Sequence, residues 1–274
     1  MAAQWDAKNK NCLITGAAAG LGAAYVEALL KEGAKKVAVV DIDEQAGQEL
    51  VAQLNETYNN SVIFVKCDVS KEPEIDHCFN IVVKEFGNID VLINNAGIMS
   101  DLETTWRLAS DVNYQGLVSF TMKAVKHMRK DEGGAGGVIV NIASTAGLTR
   151  INTFPIYSGC KAAVIHFSQN LALPPFFDDT GIRVMVLCPG ATATKLVQGL
   201  AKKVVDMKNS QMMEEMFGKV HIQSVESAVI TMLKLLKDGN NGSIWLSTHD
   251  RPPHELTPQI NKYFDELEKL TFLN

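Results

Sequence analysis

Asn11-Cys-Leu-Ile-Thr15-Gly16-Ala-Ala-Ala-Gly20-Leu-Gly22 is a short apolar run followed at once by a glycine-rich turn. The run is typical of a buried strand, and residues 23–30 after the turn follow a helical pattern. Strand, turn and helix predict a phosphate-binding cradle, because backbone N–H groups and the positive end of the helix dipole attract a pyrophosphate. The spacing is G-x-x-x-G-x-G, not the commoner G-x-G-x-x-G. Taken alone, the turn would be better explained as an ordinary loop.

A second predicted strand, Lys36–Asp41, ends in an acid about 20 residues beyond the glycines, where a ribose-binding carboxylate is expected. Asp41 would accept hydrogen bonds from the adenosine ribose and would repel the additional phosphate of NADP. No arginine or lysine lies within the glycine turn to offset that repulsion, so the sequence favours NAD. The alternative is that Asp41 only caps the helix that begins near Glu44.

The rest of the chain alternates strands with helices. Further strands are predicted at 61–66, 90–94, 137–142, 182–187 and 243–247, and helices near 44–56, 72–86, 104–130, 156–173 and 224–237. Most strands are continuous apolar runs, as expected of strands covered on both faces. The pattern predicts an α/β, Rossmann-type doubly wound parallel sheet with helices on both faces. Ligands bind such sheets beyond the carboxyl ends of the strands.

Tyr157 and Lys161 are four residues apart in a predicted helix, so their side chains share one face. A tyrosine hydroxyl is a poor base at neutral pH, because its ordinary pKa is about 10. A fixed ammonium beside it is predicted to lower that pKa, while the hydroxyl of Ser144 holds the substrate oxygen. Alone, the pair would be a surface coincidence. It gains weight from the nucleotide site upstream.

The chain has 274 residues, of which 46% are apolar and 21% are charged, and its formal net charge is −5. This suits a globular protein with a sizeable core and argues against a general nucleic-acid binder. No linker or repeat divides the chain, so residues 1–274 are expected to form a single domain. The first ten residues are too polar for a signal peptide, and no apolar run is of membrane-spanning length. The cytoplasm is therefore the expected location.

The five cysteines are scattered and lack C-x-x-C spacing. Cys12, Cys67 and Cys188 lie in predicted strands and are expected to be core residues. No metal site is predicted, because the histidines at positions 221, 249 and 254 lack ligand spacing.

The ordered set of motifs resembles the short-chain dehydrogenase/reductase family over nearly all of the chain up to about residue 247. The motifs that carry the resemblance are the turn from Thr15 to Gly22, Cys67-Asp68-Val69, Asn94-Asn95-Ala96-Gly97, Asn113, Ser144, Tyr157, Lys161 and Pro189-Gly190. The family implies a nicotinamide cofactor and hydride transfer at a carbinol or carbonyl carbon. Segments 95–99, 132–142 and 187–191 are most similar to the group of NAD-dependent 15-hydroxyprostaglandin dehydrogenases and insect-type alcohol dehydrogenases.

The resemblance implies catalytic roles for four residues. Tyr157 would be the general acid/base and Ser144 would polarise the substrate oxygen. Lys161 would bind the nicotinamide ribose and lower the pKa of the tyrosine. Asn113 would hold a water that links Lys161 to solvent. Without the resemblance, Asn113 would be an ordinary interior residue of a helix.

The resemblance also implies the cofactor contacts. Asp68 would bind the adenine ring, Pro189-Gly190 would turn the chain under the nicotinamide, and Thr194 would contact its carboxamide rather than merely cap a helix. The expected contacts are Gly16, Gly20, Leu21, Gly22, Asp41, Asp68, Val69, Asn95, Ala96, Gly97, Tyr157, Lys161, Pro189, Gly190, Thr192 and Thr194.

Residues 191–220 are expected to cover the substrate. They are rich in leucine, valine and methionine, which fit irregular apolar shapes, and would form a mobile lid or an amphipathic helix pair packed on the core. With Phe154 and Ile156 added, the pocket would favour a lipophilic secondary alcohol over a sugar. The expected substrate contacts are Ser144, Phe154 and Tyr157. Phe154 replaces a polar substrate-contacting residue of the prostaglandin dehydrogenases, which argues against prostaglandin.

Two features bear on assembly. Pro174-Pro175 should end the helix of Tyr157 near Ala172, and because this helix helps to form the dimer interface in the family, the subunit contacts there are expected to differ. The resemblance implies a homodimer or homotetramer. Residues 257–271 predict a C-terminal helix, capped by Thr257, whose apolar stripe docks on the core or on a partner subunit.

Three other functions remain open. The chain could be a reductase of small alcohols or aldehydes, a non-catalytic NAD-binding regulatory protein, or a sugar-nucleotide epimerase or dehydratase. The complete set of Asn113, Ser144, Tyr157 and Lys161 argues against a non-catalytic protein. The spacing of the glycine turn argues against an epimerase.

Overall fold

The structure is a computed structural model that describes residues 6–272. Residues 1–5 and 273–274, which the predicted domain 1–274 includes, lie outside the described residues. The described chain forms one sheet in the order β3-β2-β1-β4-β5-β6-β7-β8. The strands are β1 (Asn11–Thr15), β2 (Lys36–Asp41), β3 (Val62–Lys66), β4 (Val91–Asn94), β5 (Gly137–Ile142), β6 (Ile182–Pro189), β7 (Ile244–Ser247) and β8 (His254–Glu255).

Helices cover both faces of the sheet. They are α1 (Gly20–Lys31), α2 (Glu44–Tyr58), α3 (Glu72–Phe86), α4 (Trp106–Ser110), α5 (Leu117–Met128), α6 (Pro155–Leu171), α7 (Phe176–Thr180), α8 (Ser210–Phe217), α9 (Val225–Asp238) and α10 (Thr257–Thr271). One buried apolar cluster joins α1, α2 and α9 to the sheet, and a second joins α3 and α5 to its other face. The predicted doubly wound α/β fold is confirmed.

The strand order places the site. β1 pairs in parallel with β2 on one side and with β4 on the other, so successive crossovers run in opposite directions from β1. In open sheets of this kind, the crevice beyond the carboxyl ends of the strands at this reversal is where ligands bind. The glycine turn after Thr15 and the loop after Asn94 therefore face each other.

The sequence predicted most boundaries to within two residues, and the structure differs from the prediction in two respects. The sheet is not wholly parallel, because the two-residue strand β8 pairs antiparallel with β7; it is too short to show a period. The helix predicted at 104–130 begins at Trp106 and contains a π-helical turn at Asp111–Gly116. Helix α6 ends at Leu171 with Ala172 as its C-cap, as Pro174-Pro175 predicts.

The C-terminal helix docks on its own chain through part of its apolar stripe. Ile260 packs against a buried cluster, and the ring centroids of Phe264 and His166 are 5.4 Å apart. Thr257 does not cap this helix, contrary to the prediction. Its hydroxyl instead accepts a hydrogen bond from the N–H of Ile244 (2.9 Å) and donates to Glu255 (2.8 Å). The remaining stripe residues are exposed: Tyr263, Leu267 and Leu270.

The three cysteines that were expected in the core, Cys12, Cys67 and Cys188, are buried and form no disulfide.

Candidate active site

A cavity of about 650 Å³ lies beyond the carboxyl ends of β1, β2, β3, β4, β5 and β6. Its volume falls in the roughly 300–1,000 Å³ range of sites for small molecules. Fifteen of the sixteen predicted cofactor contacts line it, the exception among the described residues being Gly22. Ser144 also lines the cavity, beside Tyr157 and Lys161. The residues that the sequence singled out thus converge on one space.

The glycine turn is braced by the loop after β4. The side-chain amide of Asn95 donates to the carbonyls of Thr15 (3.1 Å) and Gly16 (2.9 Å). The hydroxyl of Thr15 accepts from the N–H groups of Asn95 (3.0 Å) and Ala96 (3.1 Å). Gly16 has φ +62°, and a Cβ there would lie 2.6 Å from Cα of Ala96. Only glycine fits at this crossing.

The start of α1 is suited to an anion. Within the described residues, no side chain caps its N-terminus. Free N–H groups at a helix start, together with the helix dipole, attract a phosphate. Gly22 lies in the first turn of this helix, where a Cβ would be 2.1 Å from the carbonyl oxygen of Gly16. The turn is therefore a cradle that a dinucleotide pyrophosphate fits.

Gly22→Ala is expected to destabilise the protein by about 1–3 kcal/mol, because the new Cβ collides with backbone. Displacement of the turn should also weaken NADH binding about tenfold or more, measurable by fluorescence titration. Gly159→Ala is the matched control, since its Cβ would meet no described atom within 4 Å. Equal NADH affinity in wild type and Gly22→Ala would contradict the cradle.

Asp41 lies at the cavity and does not cap α2. One carboxylate oxygen accepts from the N–H of Ala18 (2.9 Å), and the other accepts from the N–H of Asp43 (3.0 Å). The cap of α2 is Asp43, whose side chain accepts from the N–H of Ala46 (3.1 Å). Asp41 therefore fits a ribose-binding role, and the capping alternative is wrong.

Asp68, the predicted adenine contact, is held by its own loop. It accepts hydrogen bonds from the N–H and hydroxyl of Ser70 and pairs with Lys71 at 3.2 Å. Burial would raise the pKa of Asp68, but the bonds from Ser70 and Lys71 outweigh burial and lower it. The carboxylate therefore stays ionised at neutral pH.

The segment after β6 approaches the glycine turn. A Cβ on Gly20 would lie 3.4 Å from the Cγ2 methyl of Thr194. Thr192 donates to the carbonyl of Gly190 (2.9 Å) and accepts from the side-chain amide of Gln223 (3.0 Å). Gln223 also donates to the carbonyl of Ser247 (3.0 Å), so it ties this segment to β7. Gln223 was not predicted as a site residue, because no sequence pattern distinguishes a buried glutamine before a helix.

Tyr157 and Lys161 line the cavity from α6. The ammonium nitrogen of Lys161 donates to the carbonyl of Ile142 (2.9 Å) and lies 5.8 Å from the ring centroid of Tyr157. The hydroxyl of Ser144 accepts from the N–H of Ala146 (3.1 Å) and donates to the carbonyl of Pro189 (3.4 Å). The predicted trio is thus assembled around one part of the cavity.

Burial sets the electrostatics of this pair. It raises the pKa of Tyr157 to about 12, although a hydrogen bond with Ser144 acts in the opposite direction. It lowers the pKa of Lys161 to about 8. The lowering of the tyrosine pKa that was predicted from Lys161 is not seen, because the cost of charging a buried phenol dominates. Lys161 is the group whose pKa lies near neutrality.

Lys161→Met is expected to change the pH dependence of stability. The folded protein disfavours the charged amine, so the penalty is complete below the folded pKa of about 8 and declines as the pH rises towards the unfolded value of 10.5. The stability advantage of the variant over wild type should be about 2 kcal/mol larger at about pH 7.5 than at about pH 9.5. Urea unfolding at both pH values checks this, with the exposed Lys35→Met as control. A pH-independent difference would show that the amine is solvated.

Asn113 lies in the π-helical turn and is fully buried. Its side-chain carbonyl accepts from the N–H of Ile98 (3.0 Å), and its amide donates to the carbonyl of Ile98 (2.7 Å). A Cβ on Gly97 would lie 2.9 Å from Oδ1 of Asn113 and 3.7 Å from Nζ of Lys161. Asn113 thus fixes the loop beside Lys161, although it is not among the described residues that line the cavity.

Phe154 is not placed among the substrate contacts. It immediately precedes α6, is fully buried, and packs in a cluster with Leu200, Val204 and Met213. The described residues that line the cavity do not include it. Phe154 instead packs against side chains that do line the cavity, among them Leu200 and Met213.

Apolar side chains form one part of the cavity lining, which is called the apolar wall. They come from the loop after β4, from α4 and the π-helical turn, from the loop before α6, and from residues 191–220: Ile98, Met99, Leu108, Val112, Ile151, Leu196, Val197, Leu200, Met213, Met216, Phe217 and Val220. Sequence reasoning missed the first five of these, because lone apolar residues in loops carry no period. Residues 191–220 form three short 3₁₀ turns and α8 rather than a helix pair.

The described part of the chain was expected to lack both a metal site and a membrane span. Among residues 6–272, no group of three or more histidine, cysteine or acidic residues could hold a metal ion. Over the same range, no helix is both long and apolar enough to cross a membrane.

Comparisons with known proteins agree with this geometry. The model of the short chain dehydrogenase family matches residues 10–205. The 15-hydroxyprostaglandin dehydrogenase [NAD(+)] of Mus musculus is 33% identical over 252 residues, which cover 89% of this chain and 92% of that protein. Alcohol dehydrogenase 1 of Ceratitis cosyra is 30% identical over 239 residues, which cover 87% of this chain and 91% of that protein.

A solved structure has a similar fold. The 3-ketoacyl-(acyl-carrier-protein) reductase from Brucella melitensis, complexed with NADH, superposes with a TM-score of 0.73 and 25% identity, covering 88% of this chain and 97% of that chain. The predicted likeness to the prostaglandin and insect alcohol dehydrogenases is confirmed by the sequence relatives. The family match spans well over half of the chain. The chain belongs to the short-chain dehydrogenase family.

Proposed function

We propose that this protein is an NAD-dependent oxidoreductase that interconverts a lipophilic secondary alcohol and its ketone. The observation that carries the proposal is the cavity itself, whose lining combines a nucleotide cradle with an apolar wall. Ser144 and Tyr157 would meet the substrate oxygen, and Lys161, which lines the same cavity, would bind the nicotinamide ribose beside them.

The residues of the cradle fit the proposed cofactor. Gly16, Gly20 and Gly22 would admit the pyrophosphate, Asp41 would bind the adenosine ribose, and Thr194 would contact the nicotinamide end. Relatives named for NAD(+) and a neighbour complexed with NADH support the choice. When bound, NAD supplies the acceptor for a hydride. The protein's own residues bind and orient the reactants and move the proton.

Tyr157 would act as the general acid/base at the substrate oxygen, which the hydroxyl of Ser144 would hold by a hydrogen bond. Its raised pKa keeps the phenol protonated at neutral pH, which suits proton donation to a ketone. In the oxidation direction, a phenolate must form, and the amine of Lys161, 5.8 Å from the ring centroid, would stabilise it when charged. A higher pH increases the fraction of phenolate, so oxidation should accelerate above neutrality until Lys161 loses its charge near its pKa of about 8.

The wall sets the proposed substrate class. Three methionines and a phenylalanine, Met99, Met213, Met216 and Phe217, line it together with branched aliphatic side chains. Such a wall offers few hydrogen bonds to the hydroxyls of a polyol, whose desolvation would go uncompensated. Burial of a terpenoid, steroid-like or fatty chain would instead be favourable, by about 25 cal/mol per Å² of apolar surface.

We also propose that residues 1–274 make up one domain, because β1 to β8 belong to one sheet.

Residues 191–220 would act as a lid over the cavity, since many of their apolar side chains line it. These are Leu196, Val197, Leu200, Met213, Met216, Phe217 and Val220.

A substrate panel tests the function. The purified protein is mixed with NAD or NADP and with menthol, androsterone, isopropanol or sorbitol, and reduced cofactor is followed by absorbance. We expect turnover of menthol or androsterone with NAD, and little with sorbitol. Turnover of sorbitol without turnover of either lipophilic alcohol would contradict the substrate class. NADH binding without turnover of any alcohol would favour a non-catalytic role.

A further inference from the structure

Asp101 is a buried carboxylate outside every motif considered above. It lies in the loop between β4 and α4 and is 1% exposed. One carboxylate oxygen accepts a hydrogen bond from the N–H of Ile156 (2.6 Å), and the other accepts from the N–H of Tyr157 (3.0 Å). A side chain 56 residues away along the chain therefore holds the backbone of the predicted acid/base.

These two bonds complete the first turn of α6. The N–H groups at the start of a helix have no partner within the helix. Pro155 has no N–H, and the N–H of Ser158 donates to the carbonyl of Phe154 (3.0 Å). The N–H groups of Ile156 and Tyr157 are the two that remain, and both go to Asp101. The negative charge also complements the positive end of the helix dipole.

The same residue contacts the segment that covers the cavity. The N–H of Asp101 donates to the carbonyl of Lys203 (2.8 Å), and the N–H of Val205 donates to the carbonyl of Thr153 (3.1 Å). Residues 203–205 are thus tied to both sides of the start of α6. Asp101 thus contacts both the start of α6, through its side chain, and the covering segment, through its backbone N–H.

We infer that Asp101 is a positioning residue that fixes Tyr157 relative to the covering segment and so sets the geometry of proton transfer. The inference rests on the proposed function of Tyr157. Capping alone does not require this arrangement. A neutral serine or asparagine caps a helix well, whereas a buried carboxylate must be desolvated, and burial raises the pKa of Asp101 despite its two N–H donors. A charged acceptor that spans two consecutive N–H groups holds the turn more rigidly than a hydroxyl would.

Hydrogen exchange tests the placement without any substrate. In the wild type, the amides of Ile156 and Tyr157 should exchange as slowly as amides inside α6. In Asp101→Asn, which keeps one acceptor and the side-chain volume, peptides spanning residues 154–161 and 199–206 should exchange about tenfold faster or more. The control is Ser224→Ala, which removes the cap of α9, where Ser224 accepts from the N–H of Ser227 (3.1 Å). Fast exchange of the two amides in the wild type, or unchanged exchange in Asp101→Asn, would overturn the inference.

Kinetics test the consequence, with whichever of menthol and androsterone turns over faster. Asp101→Asn should lower kcat about 10- to 100-fold, because small displacements of a reacting group are costly, while KM for the alcohol and the Kd for NADH stay within about twofold. Ser224→Ala should lower the melting temperature by about as much as Asp101→Asn does, but its kcat should equal that of the wild type. Equal kcat losses in the two variants, or parallel loss of NADH affinity in Asp101→Asn, would mean a structural role only. Failure of the wild type to oxidise either alcohol would contradict the proposed function, while the exchange data would still decide the placement.

Discussion

Replacing Tyr157 with phenylalanine is expected to lower kcat for alcohol oxidation by about 10²- to 10⁴-fold, the usual contribution of a general acid/base. The phenol lines the cavity beside Ser144 and Lys161 and is almost completely buried, so water has little room to replace it. The Kd for NADH should change by less than about twofold, because the glycine turn and Asp41 are untouched. Steady-state kinetics with menthol or androsterone, together with fluorescence titration of NADH, measure both quantities.

A matched control separates chemistry from packing. Tyr25 is also fully buried, and its hydroxyl has no hydrogen-bond partner among the described residues. It lies in α1, away from the cavity. Tyr25→Phe makes the same chemical change and should leave kcat unaltered, with stability equal or slightly higher. If Tyr157→Phe kept more than about a tenth of the wild-type kcat, the assignment of Tyr157 as acid/base would fail.

The second large effect concerns the choice of cofactor. Asp41 would accept hydrogen bonds from the ribose hydroxyls and repel the additional phosphate of NADP. Ile42, the next residue, also lines the cavity and is 61% exposed. The double variant Asp41→Ala/Ile42→Arg removes the repulsion and adds a guanidinium that can bind a phosphate. We expect the ratio of kcat/KM for NADP to that for NAD to rise by about 10²- to 10³-fold, since charge-assisted hydrogen bonds contribute about 1.5–3 kcal/mol each.

Each half of the double variant has its own control. Asp41→Ala alone should weaken NAD use more than it improves NADP use, because it removes a ligand without adding one. Ile42→Arg alone should help NADP little while the carboxylate remains beside it. Wild-type protein that used both cofactors equally well would contradict the role given to Asp41, whatever the variants did.

The nucleotide half of the site was predictable from the sequence because its constraints are local. The glycine turn requires a glycine at position 16, because φ is +62° there and the backbone of Ala96 is close. The strand that ends in Asp41 is likewise recognisable from a few consecutive residues. The strands were predictable for the same reason, because each is a continuous apolar run of neighbouring residues. The carboxyl ends of parallel strands then had to meet, which brought Asn95, Ser144 and Gly190 to one cavity.

The substrate half was less predictable because it depends on how loops fold back. Phe154 packs against cavity-lining residues without lining the cavity itself, whereas Ile98 and Leu108 line it from a loop and a short helix without a period. Asp101 holds α6 from 56 residues away, a pairing that no local pattern encodes. The pKa of Tyr157 was misjudged for a related reason, since the sequence gives the neighbouring amine but not the degree of burial.

The proposed reaction passes a hydride between the carbinol carbon of a lipophilic alcohol and NAD. Its most direct test uses menthol and androsterone labelled with deuterium at the carbinol carbon. Each is incubated with NAD and the protein, and the cofactor product is analysed by mass spectrometry. We predict NADH that carries the deuterium, formed in equal amount with the ketone. NADH without the label, or no ketone from either alcohol although NADH binds, would contradict the account.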